Sequence, residues 1–336
     1  MSSLHLSRVR SWALSSPPIE WALEQLRELV IGALRQGPIP EHVAFIMDGN
    51  RRFAQSHHIE RVEGHHLGFE ALARILEVCY KSGVRVVTIY AFSVENFKRS
   101  KYEVDALMDM AKVKLVQLSQ HGDLMDRYGA RIRVLGELDM LKPDVRDAID
   151  EAVELTRDNG DAILNVCFPY TSRDEMTSAI RETVAEYSRP SRDASRPWLE
   201  GVGARHGSAS PSPPTSDVDD SLSSSMTLQP DTPPNNDLRD PASSLFPDPE
   251  RISAETLDEH MYTSGDPPLD LLIRTSGVDR LSDFMLWQCH QDTDVVFLKC
   301  LWPEFDLWNF VPVLLEWQWR RRKMADTGHG ITGGVL

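Results

Sequence analysis

No apolar run in the sequence reaches the roughly 18–20 residues that a bilayer-spanning helix requires, and the start lacks the apolar core and cleavage site of a secretory signal. Cysteine is scarce. The four that occur, Cys79, Cys167, Cys289 and Cys300, show no C-x-x-C spacing, which argues against a disulfide framework or a zinc site and fits a reducing compartment. Positive charge is also short: the formal net charge is −15, which argues against a general nucleic-acid-binding surface. Residues 188–250 contain no lysine at all and are dense in Ser and Pro. Such a tract has too little apolar content to offset the entropy of ordering its backbone, and disorder is predicted there.

The basic residues that are present gather in a few short segments, at Arg51, Arg52, Arg61, Lys98, Arg99, Arg274 and Arg280. In an acidic protein this clustering favours a small anionic ligand. The first segment is the most informative. His42-Val43-Ala44-Phe45-Ile46-Met47 has the length and content of a buried strand and ends abruptly in Asp48-Gly49-Asn50-Arg51-Arg52. A strand end would thus bring one carboxylate, a turn rich in backbone N–H groups and two guanidiniums to one spot. That set suits a magnesium-bound polyphosphate, the carboxylate for the hard cation and the other donors for phosphate oxygens. An ordinary strand-to-helix turn with solvated arginines would read the same way on these residues alone.

From His42 to Tyr187 strand-like and helix-like segments alternate. Strands are predicted near 42–47, 85–91, 130–135, 161–168, 269–274 and 294–298, and helices near 65–82, 101–127, 143–158 and 171–187. In the first helix Phe69, Leu72, Ile75, Leu76 and Cys79 recur at helical spacing, and Ser82-Gly83 supplies a stop. The alternation predicts a single α/β domain with a largely parallel central sheet flanked by helices. Ligands of open α/β sheets bind beyond the carboxyl ends of the strands, and Asp48, Ser93 and Arg274 all fall there. The predicted organisation is an N-terminal segment (1–37), a first part of the α/β domain (38–187), the Ser/Pro-rich insertion (188–250), a second part (251–322) and a tail (323–336). Within the first segment, residues 18–35 form an amphipathic pattern with Ile19, Leu23, Leu26 and Val30 on one face and Trp21 near the start. A helix docked on its own domain and one lying at a lipid surface both fit it. The Asp217-Val218-Asp219-Asp220 run lies inside the insertion and is read as a decoy for a metal motif.

Four further segments complete a set: Gly64-His65-His66-Leu67-Gly68, Tyr90 to Arg99, Ile273 to Phe284, and Leu301-Trp302-Pro303-Glu304-Phe305. In this order and spacing the five segments resemble the cis-prenyltransferase family, especially its eukaryotic dehydrodolichyl diphosphate synthase branch, over roughly residues 38–187 and 251–320. The resemblance implies an undecaprenyl-diphosphate-synthase-like fold with a hydrophobic product tunnel. It implies an enzyme using Mg2+ to condense several isopentenyl diphosphates onto an allylic diphosphate, with farnesyl diphosphate the expected primer. The product would be a long polyprenyl diphosphate for dolichol and protein glycosylation. Carried over residue by residue, the allylic diphosphate falls to Asp48, Gly49, Asn50, Arg51 and Arg52, completed by Arg61 and His65. Isopentenyl diphosphate falls to Arg274, Arg280 and Ser282. Ser93, Asn96, Phe97 and Arg99 belong to an intervening loop expected to close over substrate, with Phe97 where many bacterial members carry tryptophan. Asp48, Asn50, Ser93 and Asn96 form the expected catalytic group, and Asp48 the expected magnesium ligand. Bacterial members add a metal-binding glutamate near the last strand. Counting back from Trp302-Pro303 puts Asp294 in its place, whereas counting forward from Trp287-Gln288 puts Thr293 there. A helix-start role for His65 and a solvated one for Arg280 also fit the residues.

Self-sufficient members of that family end in an Arg-x-Gly segment that completes a neighbouring subunit's isopentenyl site. Here Arg320 to Gly328 has no arginine two residues before a glycine. The resemblance therefore implies a heteromer with a Nogo-B-receptor-like subunit that supplies the segment. It also implies peripheral contact with the cytoplasmic face of the endoplasmic reticulum membrane, through the 18–35 helix. The aromatic run Leu307 to Trp319 suits a subunit interface or a core-facing helix. Val104, Leu107, Met108, Ala111, Leu115 and Leu118 are expected to line the tunnel from one long helix. Two other readings compete: a non-catalytic scaffold subunit of the same fold, and an unrelated phosphate-binding or phosphatase α/β protein. A scaffold has no use for two complete diphosphate cradles, and a phosphatase would release phosphate from phosphomonoesters without incorporating isopentenyl units.

Overall fold

Six strands form the sheet: β1 (His42–Ile46), β2 (Val86–Tyr90), β3 (Ala130–Leu135), β4 (Ala162–Cys167), β5 (Leu271–Arg274) and β6 (Asp294–Phe297). They lie in the order β3-β4-β2-β1-β5-β6, and every pairing is parallel. The computed structural model describes residues 17–120, 124–190, 246–290 and 292–328. β1 buries all five of its residues, as its unbroken apolar run demands of a central strand covered on both faces. From β1 the chain adds β2 beside it, then β3 at the far edge and β4 between β2 and β3, before it returns to the other side of β1 as β5 and β6. The strand order thus reverses between β1 and β5, and a crevice opens beyond their carboxyl ends. Asp48 follows β1 and Arg274 ends β5, with Ile46 and Arg274 paired in register.

The helices are α1 (Pro17–Leu34), α2 (Asn50–Ser56), α3 (Arg61–Ser82), α4 (Lys101–Ser119), α5 (Leu124–Arg127), α6 (Pro143–Leu155), α7 (Ser172–Tyr187), α8 (Ala254–Glu259) and α9 (Leu307–Gly328). α3 stops at Gly83, whose φ of 105° only glycine adopts readily. It starts earlier than its apolar periodicity predicts, because its first turn faces Asn50 and Ala54 through Gly64 and carries little apolar surface. The helix predicted over 101–127 is two helices. Gln120 turns extended at ψ 150°, where Ser119 Oγ bonds back to Val116 O at 2.9 Å and weak helix formers follow. The described residues up to Ala179 and from Glu259 onward form one compact unit, and the described residues between Ile180 and Asp258 form another. The disorder predicted over 188–250 and the Asp217–Asp220 decoy fall largely or wholly outside the described residues.

On one sheet face Phe45 meets Trp302, Phe305 and Phe310 at ring centroid distances of 5.9, 6.0 and 6.0 Å. Trp302 is buried and donates from Nε1 to Gly68 O at 2.7 Å, so the Leu301–Phe305 segment locks α3 onto the sheet. α9 contributes buried Phe310, Leu314 and Trp317, and its Gln318 Nε2 donates to Leu34 O at 2.8 Å. α1 is therefore anchored at its end by Ile31 and Leu34, while Trp21, Leu23, Leu26 and Leu29 stay exposed. On the opposite face a buried polar row ties the segment that returns to the sheet before β5. His42 Nε2 pairs with Thr88 Oγ1 at 2.7 Å, Asn165 donates to Asp266 at 2.7 Å, and Arg133 bonds the same carboxylate at 2.7 Å.

Candidate active site

A cavity of about 680 Å3 opens at the carboxyl edge of the sheet. Its mouth brings together Asp48, Gly49, Asn50, Arg51, Arg52, His65, Ser93, Asn96, Arg99, Arg274, Arg280 and Ser282. Its interior is walled by apolar side chains, Leu72, Phe92, Leu107, Ala111, Leu115, Leu118, Val166 and Phe168 among them. The first, third and fourth polar segments of the sequence thus converge on one spot, as their strand-end positions predict.

Asp48 sits where β1 gives way to the turn. Its Oδ2 accepts from Arg274 Nη2 at 2.7 Å and lies 3.7 Å from Arg52 Nη2. Burial alone would raise its pKa. The Arg274 hydrogen bond, the nearby Ser276 side chain and the Arg274 and Arg52 charges outweigh that and hold the carboxyl below its ordinary range. Gly49, at φ 116°, makes the turn possible, and a Cβ there would crowd the Leu301 backbone at 3.1 Å. Arg52 is fixed by a 2.8 Å bond to Ser276 O. Asn50 Oδ1 is buried and has no hydrogen-bond partner among the described residues. It lies over Gly68, where any Cβ would come within 2.3 Å of it.

The middle loop is a short 3-10 turn, Val94–Lys98, capped reciprocally by two of the expected site residues. Ser93 Oγ accepts from Glu95 N at 3.2 Å, and Asn96 Oδ1 accepts from Ser93 N at 3.1 Å. Asn96 Oδ1 is thus engaged in the cap, while its amide N–H groups remain for a ligand. Phe97 does not line the cavity. It packs edge-on against Phe92 at 5.0 Å and so supports the loop from behind. Arg61 is also outside the lining, its side chain mostly exposed and ion-paired with Glu103 at 3.6 Å.

Glu103 is a residue that sequence reasoning missed. Its buried carboxylate gathers Arg99 at 2.9 Å, Arg61 at 3.6 Å and His65 Nε2 at 3.8 Å. It stands three residues after Ser100, which caps α4 by accepting its N–H at 3.3 Å, and that capping position disguises it. His65 is nevertheless neutral at physiological pH. Burial, then the Arg99 and Arg51 charges, outweigh Glu103 and bring its pKa to about 4. Burial and the Arg51 charge likewise depress Arg99. The mouth thus holds more positive charge than its carboxylates neutralise, a condition that a bound polyanion relieves.

The second cradle is centred on Arg274, itself buried. Its Nη1 donates to Ser282 Oγ at 2.7 Å and to Arg280 O, while Arg280 Nε donates to the same hydroxyl at 3.2 Å. Gly277, at φ 65°, tightens the connecting turn, and Ser276 N and Gly277 N donate to Cys300 O and Leu298 O at 2.7 Å each. Ser276 and Thr275, the latter donating to Asp48 O at 2.6 Å, belong to the site although only their neighbours were singled out from the sequence.

Asp294 does not join Asp48. β6 is parallel to β5 with Asp294 level with Leu271, at the amino end of the sheet, whereas Arg274 is level with Phe297. Through β5, Asp294 is level with Val43 of β1, five residues and roughly 16 Å before Asp48 along the strand direction, and β1 and β6 lie two strand spacings apart. Asp294 is instead paired with Arg320 at 3.0 Å. Its expected place as a metal ligand beside Asp48 is therefore not met within this chain. Among the described residues no group of three or more His, Cys, Asp and Glu side chains could cage a metal. A single ionised carboxylate beside a phosphate cradle does fit magnesium, which is commonly held by one or two carboxylates together with substrate phosphates.

The comparisons with known proteins agree with this geometry. The family described as "Putative undecaprenyl diphosphate synthase" matches residues 46–325. The chain belongs to this cis-prenyltransferase family, whose members are enzymes that transfer prenyl groups. More specifically, it is 40% identical over 313 residues to a dehydrodolichyl diphosphate synthase complex subunit of Schizosaccharomyces pombe, covering 93% of this chain and 98% of that protein. It is 39% identical over 285 residues to the corresponding Homo sapiens subunit, covering 85% of this chain and 69% of that one. Among solved structures, lavandulyl diphosphate synthase from Lavandula x intermedia superposes with a TM-score of 0.61 at 24% identity, over 83% of this chain and 95% of that one, which supports the fold.

Proposed function

We propose that this chain catalyses repeated condensation of isopentenyl diphosphate onto an allylic diphosphate, with farnesyl diphosphate as primer, to make a long polyprenyl diphosphate for dolichol. The observation that carries this reading is one cavity with two arginine-rich cradles at its mouth and an apolar interior. In this reading Asp48, Gly49, Asn50, Arg51 and Arg52 hold the allylic diphosphate, with neutral His65 as a hydrogen-bonding partner. Arg274, Arg280 and Ser282 hold isopentenyl diphosphate. Magnesium, held by Asp48 and the substrate phosphates, would neutralise charge on the departing diphosphate. Arg51, Arg52 and Arg99 add fixed positive charge where that negative charge develops. The Ser93–Asn96 turn keeps water from the allylic carbon. Asn50 Oδ1 and Ser93 orient the isopentenyl group for proton loss. The growing chain enters the apolar interior, where each buried methylene is worth about 0.8 kcal/mol.

A partner subunit of the Nogo-B-receptor type completes the enzyme at the endoplasmic reticulum membrane. Exposed Trp308, Leu315 and Trp319 lie seven and four residues apart on one stripe of α9, next to edge strand β6 with exposed Val295 and Phe297. These residues suit a subunit interface. No described helix is long and apolar enough to cross a membrane, and the exposed Trp21, Leu26 and Leu29 of α1 suit peripheral contact. Label from isopentenyl diphosphate appearing in a farnesyl-primed lipid product, with no phosphate released from a simple phosphomonoester, tests the reading. The reverse result would favour a phosphatase.

A further inference from the structure

The loop that carries Arg280 and Ser282 leaves ordinary backbone at four non-glycine residues: Ser276 (φ 85°), Ser282 (φ 53°), Asp283 (φ 62°) and Met285 (φ 47°). Backbone of this kind persists only where its surroundings over-determine it. Much of that determination comes from the first turn of α7. Ser172 N donates to Asp283 O at 2.8 Å, and Leu286 N donates to Ser172 Oγ at 2.8 Å. Arg173 then takes the Asp283 carboxylate with both its backbone N–H, at 3.2 Å to Oδ1, and its Nε, at 2.7 Å to Oδ2. Tyr90 closes the other side, donating to Ser282 O at 3.3 Å and stacking on Phe284 at 4.6 Å. Arg173 does not line the cavity, whereas Asp283 does, immediately beside Ser282.

An aspartate in the wall of an anion site is an electrostatic liability. Left uncompensated, its charge would repel a diphosphate on Ser282 and Arg280. We propose that Arg173 is a positioning residue for the second diphosphate site. It cancels the Asp283 charge and holds the Ser282–Asp283 backbone so that Arg280 and the Ser282 hydroxyl face the ligand. The inference rests on the reading of Arg280 and Ser282 as diphosphate ligands.

The test is steady-state kinetics on the full chain with its partner subunit, comparing Arg173→Ala, Asp283→Asn, the double variant and Arg280→Ala. Arg173→Ala is expected to raise KM for isopentenyl diphosphate about three- to tenfold, the range for a partly exposed charge-assisted contact. kcat and KM for the allylic diphosphate should stay within about twofold. Asp283→Asn keeps an acceptor and tolerates positive φ, so adding it to Arg173→Ala should return KM towards the wild-type value. An unchanged KM in Arg173→Ala, while Arg280→Ala raises it, would overturn the proposal and leave the site reading intact. A fall in kcat with both KM values moved together and no rescue would also overturn it, since that marks a merely structural role. An unchanged KM in Arg280→Ala would remove the site itself, and the proposal with it.

Discussion

Replacing Asp48 with asparagine separates the charge at the centre of the site from its shape. The carboxylate accepts from Arg274 at 2.7 Å and faces Arg52 at 3.7 Å. Asparagine keeps an acceptor for Arg274, so the folding cost is the difference between a charge-assisted and a neutral hydrogen bond, about 1–1.5 kcal/mol. A domain of this size should then lose only a few degrees of Tm, roughly 2–4 °C per kcal/mol. Turnover should suffer far more. A contact that stabilises developing charge in the transition state is worth about 2.7–4 kcal/mol, so kcat should drop about 10²–10³-fold. Thermal unfolding followed by circular dichroism, beside kcat at saturating substrates and Mg2+, reads both quantities. A kcat within about threefold of wild type would refute the reasoning, because an electrostatic role of this size cannot be lost silently.

Ala111→Phe places an aromatic ring in the apolar interior of the cavity, so chromatography of the products should show fewer isoprene units. An unchanged distribution would mean that the chain does not run past α4. Gly68→Ala would put a Cβ 2.3 Å from Asn50 Oδ1 and 3.1 Å from Trp302 Cδ1. Asn50 must then move, and KM for the allylic diphosphate should rise about tenfold, or about 1.4 kcal/mol. His65 has a folded pKa of about 4 against 6.5 in the unfolded chain. The unfolded state therefore binds more protons between these values, and stability present above pH 6.5 is lost as pH falls towards 4, by up to about 3 kcal/mol. His65→Gln should flatten that slope in denaturant titrations at pH 7, 5.5 and 4.5. A slope as steep as that of wild type would contradict the neutral, buried assignment.

The features readable in advance share one property: they are local or periodic. The buried run of β1, the Asp48-Gly49-Asn50 turn after it and the Gly83 stop announce themselves along the chain, and strand-end position alone brings Asp48, Ser93 and Arg274 together. Glu103 was hidden because its role depends on three partners that only folding brings near, Arg61, His65 and Arg99. Asp294 was misplaced because spacing from Trp302-Pro303 says nothing about which end of β6 it occupies, and parallel register puts it at the amino end. Phe97 sits in a motif segment and Arg61 three residues before one, yet neither lines the cavity, since a motif names a loop and not the direction of each side chain. The break between α4 and α5 escaped because apolar spacing continues across it.

The most direct test of the account follows label from isopentenyl diphosphate into lipid, with the purified chain, its partner subunit, farnesyl diphosphate and Mg2+, and with EDTA in a parallel reaction. The account predicts a ladder of polyprenyl diphosphates differing by one isoprene unit, absent with EDTA and abolished by Arg274→Ala. No labelled lipid from the complete reaction, or the same ladder from the Arg274→Ala complex, would contradict it.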